Sequence, residues 1–310
     1  MRAAVLVVVC CLVLAGCGGS SSGTPAVVVA LDFTPNPVHA PIYMAAREPS
    51  HGVRLQIRKP GSGPDSLKLV ASGKVDLGVL DIQDLAIAQT QGVGVVAVGE
   101  LIDRPLGALV AQPDIARPRD LEGRTVGVSG LPSDPAFVSA IVRHDGGDPA
   151  KIKEVTIGFA AVSRLLTHRV DAVPAFWNAE GVTLRRRGLP VREFRVDDYG
   201  APRYPEVVLI TSRRTLTAHR PRIAAALAAI ADGEQATLAH PADAVKLIAR
   251  AAQTSDTGLL RAQLDAVRAA FAPGLRMNRA VLERWADFDA RIGIVKTRPD
   301  VSRAFDFTLR

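Results

Sequence analysis

Short apolar runs rich in branched residues alternate with helical segments along this chain, and the alternation stops and then begins again. Residues 26–31, 53–57, 76–80 and 93–98 read as strands, with helices expected at 41–47, 65–72 and 84–91 between them. After a strand at 106–110 the pattern restarts, with strands at 125–128, 155–157, 170–175 and 191–196 separated by helices at 135–144, 160–168 and 178–187. Each β-α-β succession buries its own sheet, so the restart predicts two α/β lobes rather than one longer sheet. Beyond a Pro-rich break at 200–205 and one more strand at 207–211 the chain is helical to about Gly293, and Val281, Trp285, Phe288 and Ile292 fall on one helix face. The chain therefore crosses between lobes twice. Residues 26–108 and 206–310 are expected in the first lobe, with the helical tail packed on it, and 109–205 in the second. A hinged clamshell of this kind places its site in the cleft, at strand C-termini and helix N-termini.

The N-terminus carries a different message. Arg2 precedes an apolar stretch, residues 3–14, too short to span a bilayer, and Leu14-Ala15-Gly16-Cys17 follows. This motif resembles the bacterial lipobox, which implies a signal segment at 1–16, acylation of Cys17, and a tether at 17–25 that lifts the globule off an extracytoplasmic membrane face. The plain alternative is an ordinary secretory signal with an incidental cysteine. Of the three cysteines, Cys10 and Cys11 lie in the segment to be removed, so no disulfide is expected. A formal charge of +7 raises the question of nucleic acid. Acidic residues are interspersed throughout and aromatics are few, so no such partner is expected; the run Arg185-Arg186-Arg187 reads as a helix C-terminus.

Four blocks stand at the predicted strand ends: Leu31-Asp32-Phe33-Thr34-Pro35-Asn36-Pro37-Val38-His39-Ala40-Pro41-Ile42-Tyr43, Lys68-Leu69-Val70-Ala71-Ser72-Gly73-Lys74-Val75-Asp76, Gly130-Leu131-Pro132-Ser133-Asp134 and Phe176-Trp177-Asn178-Ala179-Glu180-Gly181. In this order they resemble the thiamine-pyrimidine-precursor binding proteins of bacterial ABC importers over residues 26 to about 212. The resemblance implies a type II periplasmic-binding-protein-like clamshell, an aromatic solute, a membrane permease with its ATPase as partners, and a monomeric receptor without a cofactor. The family usually has tryptophan where this chain has Phe33.

The residues themselves suggest how a ring would be held. Phe33 offers a flat face, Asn36 a donor and an acceptor, and His39 a switchable donor, all within one helix-opening turn. Trp177, Asn178 and Glu180 follow a strand end; indole suits stacking, and the carboxylate accepts from an exocyclic amine while favouring a protonated ring nitrogen beside it. Asp81 and Gln83 sit at the mouth of the cleft, Ser133 opens a helix whose N–H groups face it, and Phe159 follows another strand. Each has a structural alternative. Phe33, Phe159 and Trp177 can be lobe core, His39 a helix-start residue bonded to backbone, and Asp81, Ser133, Asn178 and Glu180 helix caps or first-turn residues.

An enzyme reading has a specific form, because the fungal pyrimidine synthases share this fold and these blocks. In that resemblance a lysine and a histidine follow the Gly-Lys-x-Asp segment and a cysteine cluster lies in the second lobe; here Leu80 and Asp84 take the two places and no cysteine follows Cys17. Outside the Gly/Ser tract of the expected tether no G-x-S-x-G occurs, no H-E-x-x-H occurs anywhere, and the histidines are scattered. Neither catalytic residues nor a metal site are expected. A lipid-anchored receptor for a thiamine-related aminopyrimidine is the reading; a flavin or a small sulfonate is the alternative solute.

Overall fold

The structure, a computed structural model, describes residues 23–61 and 65–309, so the expected signal segment, Cys17 and most of the tether lie outside the described residues. The described strands are β1 (Ala26–Ala30), β2 (Arg54–Arg58), β3 (Leu77–Asp81), β4 (Val95–Ile102), β5 (Gly107–Ala111), β6 (Thr125–Val128), β7 (Lys153–Thr156), β8 (Ala172–Phe176), β9 (Arg192–Arg195) and β10 (Val207–Ser212). They form two five-stranded sheets, ordered β2-β1-β3-β10-β4 and β7-β6-β8-β5-β9.

Both sheets are built the same way. In each, a parallel trio (β2-β1-β3, β7-β6-β8) is joined by one antiparallel strand, and that strand is the one that has just crossed from the other lobe. The first crossing leads from β4 into β5, which runs antiparallel to β8 and β9; the second leads into β10, antiparallel to β3 and β4. The two-lobed α/β architecture expected from the restart is thus the observed one. Within it, β4 and β5 are buried along their whole lengths, which is why residues 95–98 and Gly107–Ala111 read as continuous apolar runs rather than alternating ones.

The helices in chain order are α1 (Ala40–Ala45), α2 (Ser66–Ala71), α3 (Ile82–Thr90), α4 (Asp134–His144), α5 (Ala161–Leu166), α6 (Val182–Arg186), α7 (Arg213–Ala239), α8 (Pro241–Ala252), α9 (Thr257–Val267), α10 (Arg279–Ile292) and α11 (Val301–Ala304). Helix α7 bends at its start, where His219 leaves helical geometry two residues before Pro221, as a proline without an N–H requires. Further along, Gly233 lets α7 lie against α1, since a Cβ there would collide with the Pro41 carbonyl.

The tail returns to the first lobe as expected, and it also reaches the second. Gln263 on α9 donates to the Ala179 carbonyl and to Thr183 Oγ, each at 3.0 Å. Trp285 and Phe288 of the predicted apolar face are buried on α10, and Tyr204 stacks on Phe288 at 6.0 Å between ring centroids. One apolar cluster therefore runs without a break from Leu85 through Trp285 to Val126 and Val138. Burial of Trp285 and Phe288, at about 1.5–3 kcal/mol each, ties α10 into this shared core.

Candidate functional site

Six chain segments, each at the C-terminal end of a strand or in a crossing, converge on a cavity of about 300 Å³ between the lobes. From the first lobe come the loop after β1 and the start of α3; from the second come the turns after β6, β7 and β8; Glu206 enters from the second crossing.

After β1 the loop is fixed by its own polar groups. Asn36 Oδ1 accepts from Val38 N–H at 2.9 Å, and His39 Nδ1 accepts from Asn36 N–H at 3.3 Å. An accepting Nδ1 assigns the imidazole proton to Nε2, which faces Asp32 Oδ1 at 2.8 Å. His39 is buried, so this contact holds Asp32 at the cavity wall. Asn36, His39 and Phe33 all line the cavity, and the backbone role foreseen as the alternative for His39 coexists with that position.

Helix α3 begins two residues earlier than expected, which places Gln83 and Asp84 in its first turn. Asp81 occupies the capping position yet makes no capping bond, so its carboxyl is left for the cavity. Opposite, Asp134 Oδ2 gathers Ser129 Oγ at 2.8 Å, Gly130 N–H at 3.0 Å and Leu131 N–H at 3.1 Å, a tight turn that Gly130 permits with φ of +93°. Ser133 likewise makes no capping bond; its N–H reaches across to Asp84 Oδ1 at 3.3 Å. Phe159 touches Phe33, ring centroids 4.3 Å apart and planes 59° to one another, so the two lobes meet here through aromatic rings.

After β8 the chain makes a five-residue π-helical turn, Trp177–Gly181. Glu180 points to the cavity and its carboxylate accepts from Phe176 N–H at 3.1 Å. The geometry separates the expected Trp177–Glu180 pair. Trp177 is not on the cavity wall: its Nε1 donates to the Pro105 carbonyl at 3.3 Å, and the Arg195 guanidinium lies 4.3 Å from its ring centre. Asn178 is fully buried behind the same turn and does not reach the cavity. Neither residue caps a helix. The wider π turn brings the fourth residue, rather than the first, to the cleft.

Sequence reasoning passed over Glu206. Its Oε2 accepts from Leu106 N–H at 2.6 Å and Gly107 N–H at 2.9 Å, joining the second crossing to the first at the floor of the cavity. A lone glutamate between Pro205 and an apolar strand was the signal available.

The wall is acidic. Asp32, Asp81, Asp84, Asp134, Glu180 and Glu206 line it, with no arginine and with only His39 and Lys68 as basic groups among the described lining residues. Burial pushes the carboxyls of Asp84 and Glu206 up to about 7 and that of Asp81 well above its ordinary range, with Asp32, Glu206, Asp84 and Asp134 raising Asp81 further. Burial raises Glu180 and Asp134 as well.

Residues 36–244 match the family model described as NMT1/THI5 like. A formylaminopyrimidine-binding protein of Halalkalibacterium halodurans is 29% identical over 228 residues, 72% of this chain and 69% of the relative. A 4-amino-5-hydroxymethyl-2-methylpyrimidine phosphate synthase of Legionella pneumophila is 28% identical over 163 residues, 51% of each chain. Among solved structures, the alkanesulfonate-binding protein SsuA of Xanthomonas axonopodis pv. citri bound to MOPS superposes with a TM-score of 0.72 at 16% identity, over 91% of this chain and 98% of that one.

Proposed function

The chain belongs to the NMT1/THI5-like family, and from that premise we propose that it is a solute receptor of an ABC importer whose solute is an aminopyrimidine related to thiamine. One observation carries this reading: two aromatic rings from opposite lobes and the Glu180 carboxylate line a single cavity at the strand ends. Phe33 and Phe159 can enclose a flat ring, while Glu180 accepts from its exocyclic amine and favours a protonated ring nitrogen beside it. Asn36, His39, Asp81, Gln83 and Ser133 complete the proposed contacts; Trp177, bonded to the Pro105 carbonyl, anchors the turn that presents Glu180, and Asn178 is buried behind it.

In this proposal residues 109–205 close on 26–108 and 206–310 around the solute. Cys17 carries the lipid that anchors a monomeric receptor on the outer face of the cell membrane, where it delivers the solute to a permease. No chemistry is proposed. Leu80 and Asp84 line the cavity where the synthase resemblance has lysine and histidine, so neither an imine-forming amine nor an imidazole donor stands there.

An anionic sulfonate would meet six carboxyl side chains and no arginine, the reverse of what a fixed anion needs. A cavity of about 300 Å³ is at the small end for ligand pockets and suits one ring better than the three of a flavin. Titration calorimetry with 4-amino-5-hydroxymethyl-2-methylpyrimidine, riboflavin and an alkanesulfonate tests the proposal. Saturable binding of the pyrimidine alone is expected, and its absence beside binding of either other solute would reject the assignment.

A further inference from the structure

Glu180 serves one polar edge of a ring, yet the cavity carries a second pair of carboxyls that this edge does not use. Asp81 ends β3 and Asp84 follows in the first turn of α3. Asp84 is 3% exposed; its Oδ1 takes the Ser133 N–H, while its Oδ2 is buried with no hydrogen-bond partner, as is Oδ1 of Asp81. No basic side chain among the described residues forms an ion pair with either. His39 is engaged by Asp32, and Lys68 is exposed on α2.

A buried carboxyl oxygen without a partner is costly, so both groups are poised for a cation that the fold itself does not provide. Asp32, Asp134 and Glu206 surround the pair and add like charge. Among the described residues no three His, Cys, Asp or Glu side chains are grouped to hold a metal ion. An organic cation fits instead.

Resting on the pyrimidine-receptor reading, we infer that the solute carries a second basic nitrogen, an alkylammonium beside the aromatic ring, and that Asp81 and Asp84 bind it. An ammonium brings one full charge and three donors to the two free oxygens, where a hydroxyl brings a single donor and no charge. Glu180 and the two rings read the aromatic part from the second lobe and the β1 loop. The acidic pair on α3 reads the substituent, so the solute spans the cleft with a recognised group at each end.

The test is calorimetric titration of the purified full-length chain at pH 7.5 with 4-amino-5-aminomethyl-2-methylpyrimidine and with its 5-hydroxymethyl analogue. The ammonium probe is expected to bind at least tenfold more tightly. In Asp84→Asn, and independently in Asp81→Asn should the first variant fold poorly, the ratio of the two affinities is expected to fall toward one. Equal or weaker binding of the ammonium probe, or a ratio unchanged in both variants, overturns the inference while leaving a pyrimidine receptor in place. Failure of both probes to bind removes the receptor reading and this inference with it.

Discussion

Phe33 and Phe159 meet ring to ring across the cleft, their centroids 4.3 Å apart, although they belong to different lobes and lie far apart in sequence. In the proposed receptor these rings would part to admit a solute and offer it two flat faces. Replacing Phe33 with alanine removes one face and the interlobe contact together. Affinity for the pyrimidine is expected to fall about tenfold or more, since aromatic pairs contribute about 0.5–1.5 kcal/mol beyond the area they bury. Calorimetry measures the loss, and small-angle scattering should show a more open ligand-free molecule. Unchanged affinity and shape would mean that the rings only fill space.

Glu206 holds the two crossings together through the N–H groups of Leu106 and Gly107. Glu206→Ala leaves two buried donors unsatisfied, at about 1–3 kcal/mol each. The melting temperature should drop by several degrees, at roughly 2–4 °C per kcal/mol for a chain of this size class. Glu206→Gln keeps an acceptor oxygen and should recover most of that loss. A glutamine variant as unstable as the alanine one would show that charge, not hydrogen bonding, secures the crossing.

Stability of the ligand-free protein should fall as pH rises from about 5 to 8. Burial raises Asp84 and Glu206 to about 7 and Glu100 to about 8, against ordinary values of 3.8, 4.5 and 4.5. Across that window the folded state binds more protons than the unfolded one, so unfolding becomes easier as pH climbs; the contribution is complete below the ordinary values and is lost through the raised ones. Asp145 and Asp306, whose carboxyls are lowered chiefly by Arg119 and Arg220 against the opposing effect of burial, act the other way, but only below about pH 4. Thermal melts at pH 5.5 and 8 should differ by at least several degrees in favour of the lower pH. A flat or rising profile would mean that water or a counter-ion already satisfies these carboxyls.

Acylation rests on sequence alone. If Cys17 carries lipid, Cys17→Ser should abolish fatty-acid labelling and shift the protein from the membrane to the soluble fraction, with ligand affinity unaltered. An unlabelled, soluble wild-type chain would dismiss the anchor.

The architecture was legible because its information is local. Residues 95–98 of β4, all of β5 and residues 207–210 of β10 are continuous apolar runs, and the restart after 106–110 marks the second lobe without reference to anything distant. The loop from Asp32 to His39 was legible for the same reason, its asparagine and histidine being tied to backbone within a few residues. The acidic character of the cavity was not. Asp81, Asp84, Asp134 and Glu206 each look like a cap or an isolated charge in sequence, and only the assembly of two crossings and two helix starts brings them to one wall. Side-chain direction at the turn after β8 was equally hidden, because a π turn rotates Trp177 outward and Glu180 inward relative to an ordinary helix start.

That rotation yields the sharpest test of the site. Glu180 faces the cavity, half-buried and with its carboxyl raised by desolvation, while Trp177 is held outside by Pro105 and Arg195. Glu180→Gln preserves the shape and removes the charge, so it should weaken an aminopyrimidine by about 1.5–3 kcal/mol, roughly ten- to a hundredfold or somewhat more, and affect its deaminated analogue far less. Trp177→Phe keeps an aromatic ring beneath Arg195 but loses the bond to Pro105; it should cost stability, about 1 kcal/mol for a hydrogen bond, with little selectivity between the two solutes. Calorimetry and thermal melts on both variants separate these roles. If Trp177→Phe discriminates between aminopyrimidine and analogue while Glu180→Gln does not, the solute is read on the other side of the π turn and the cavity between the lobes is not its site.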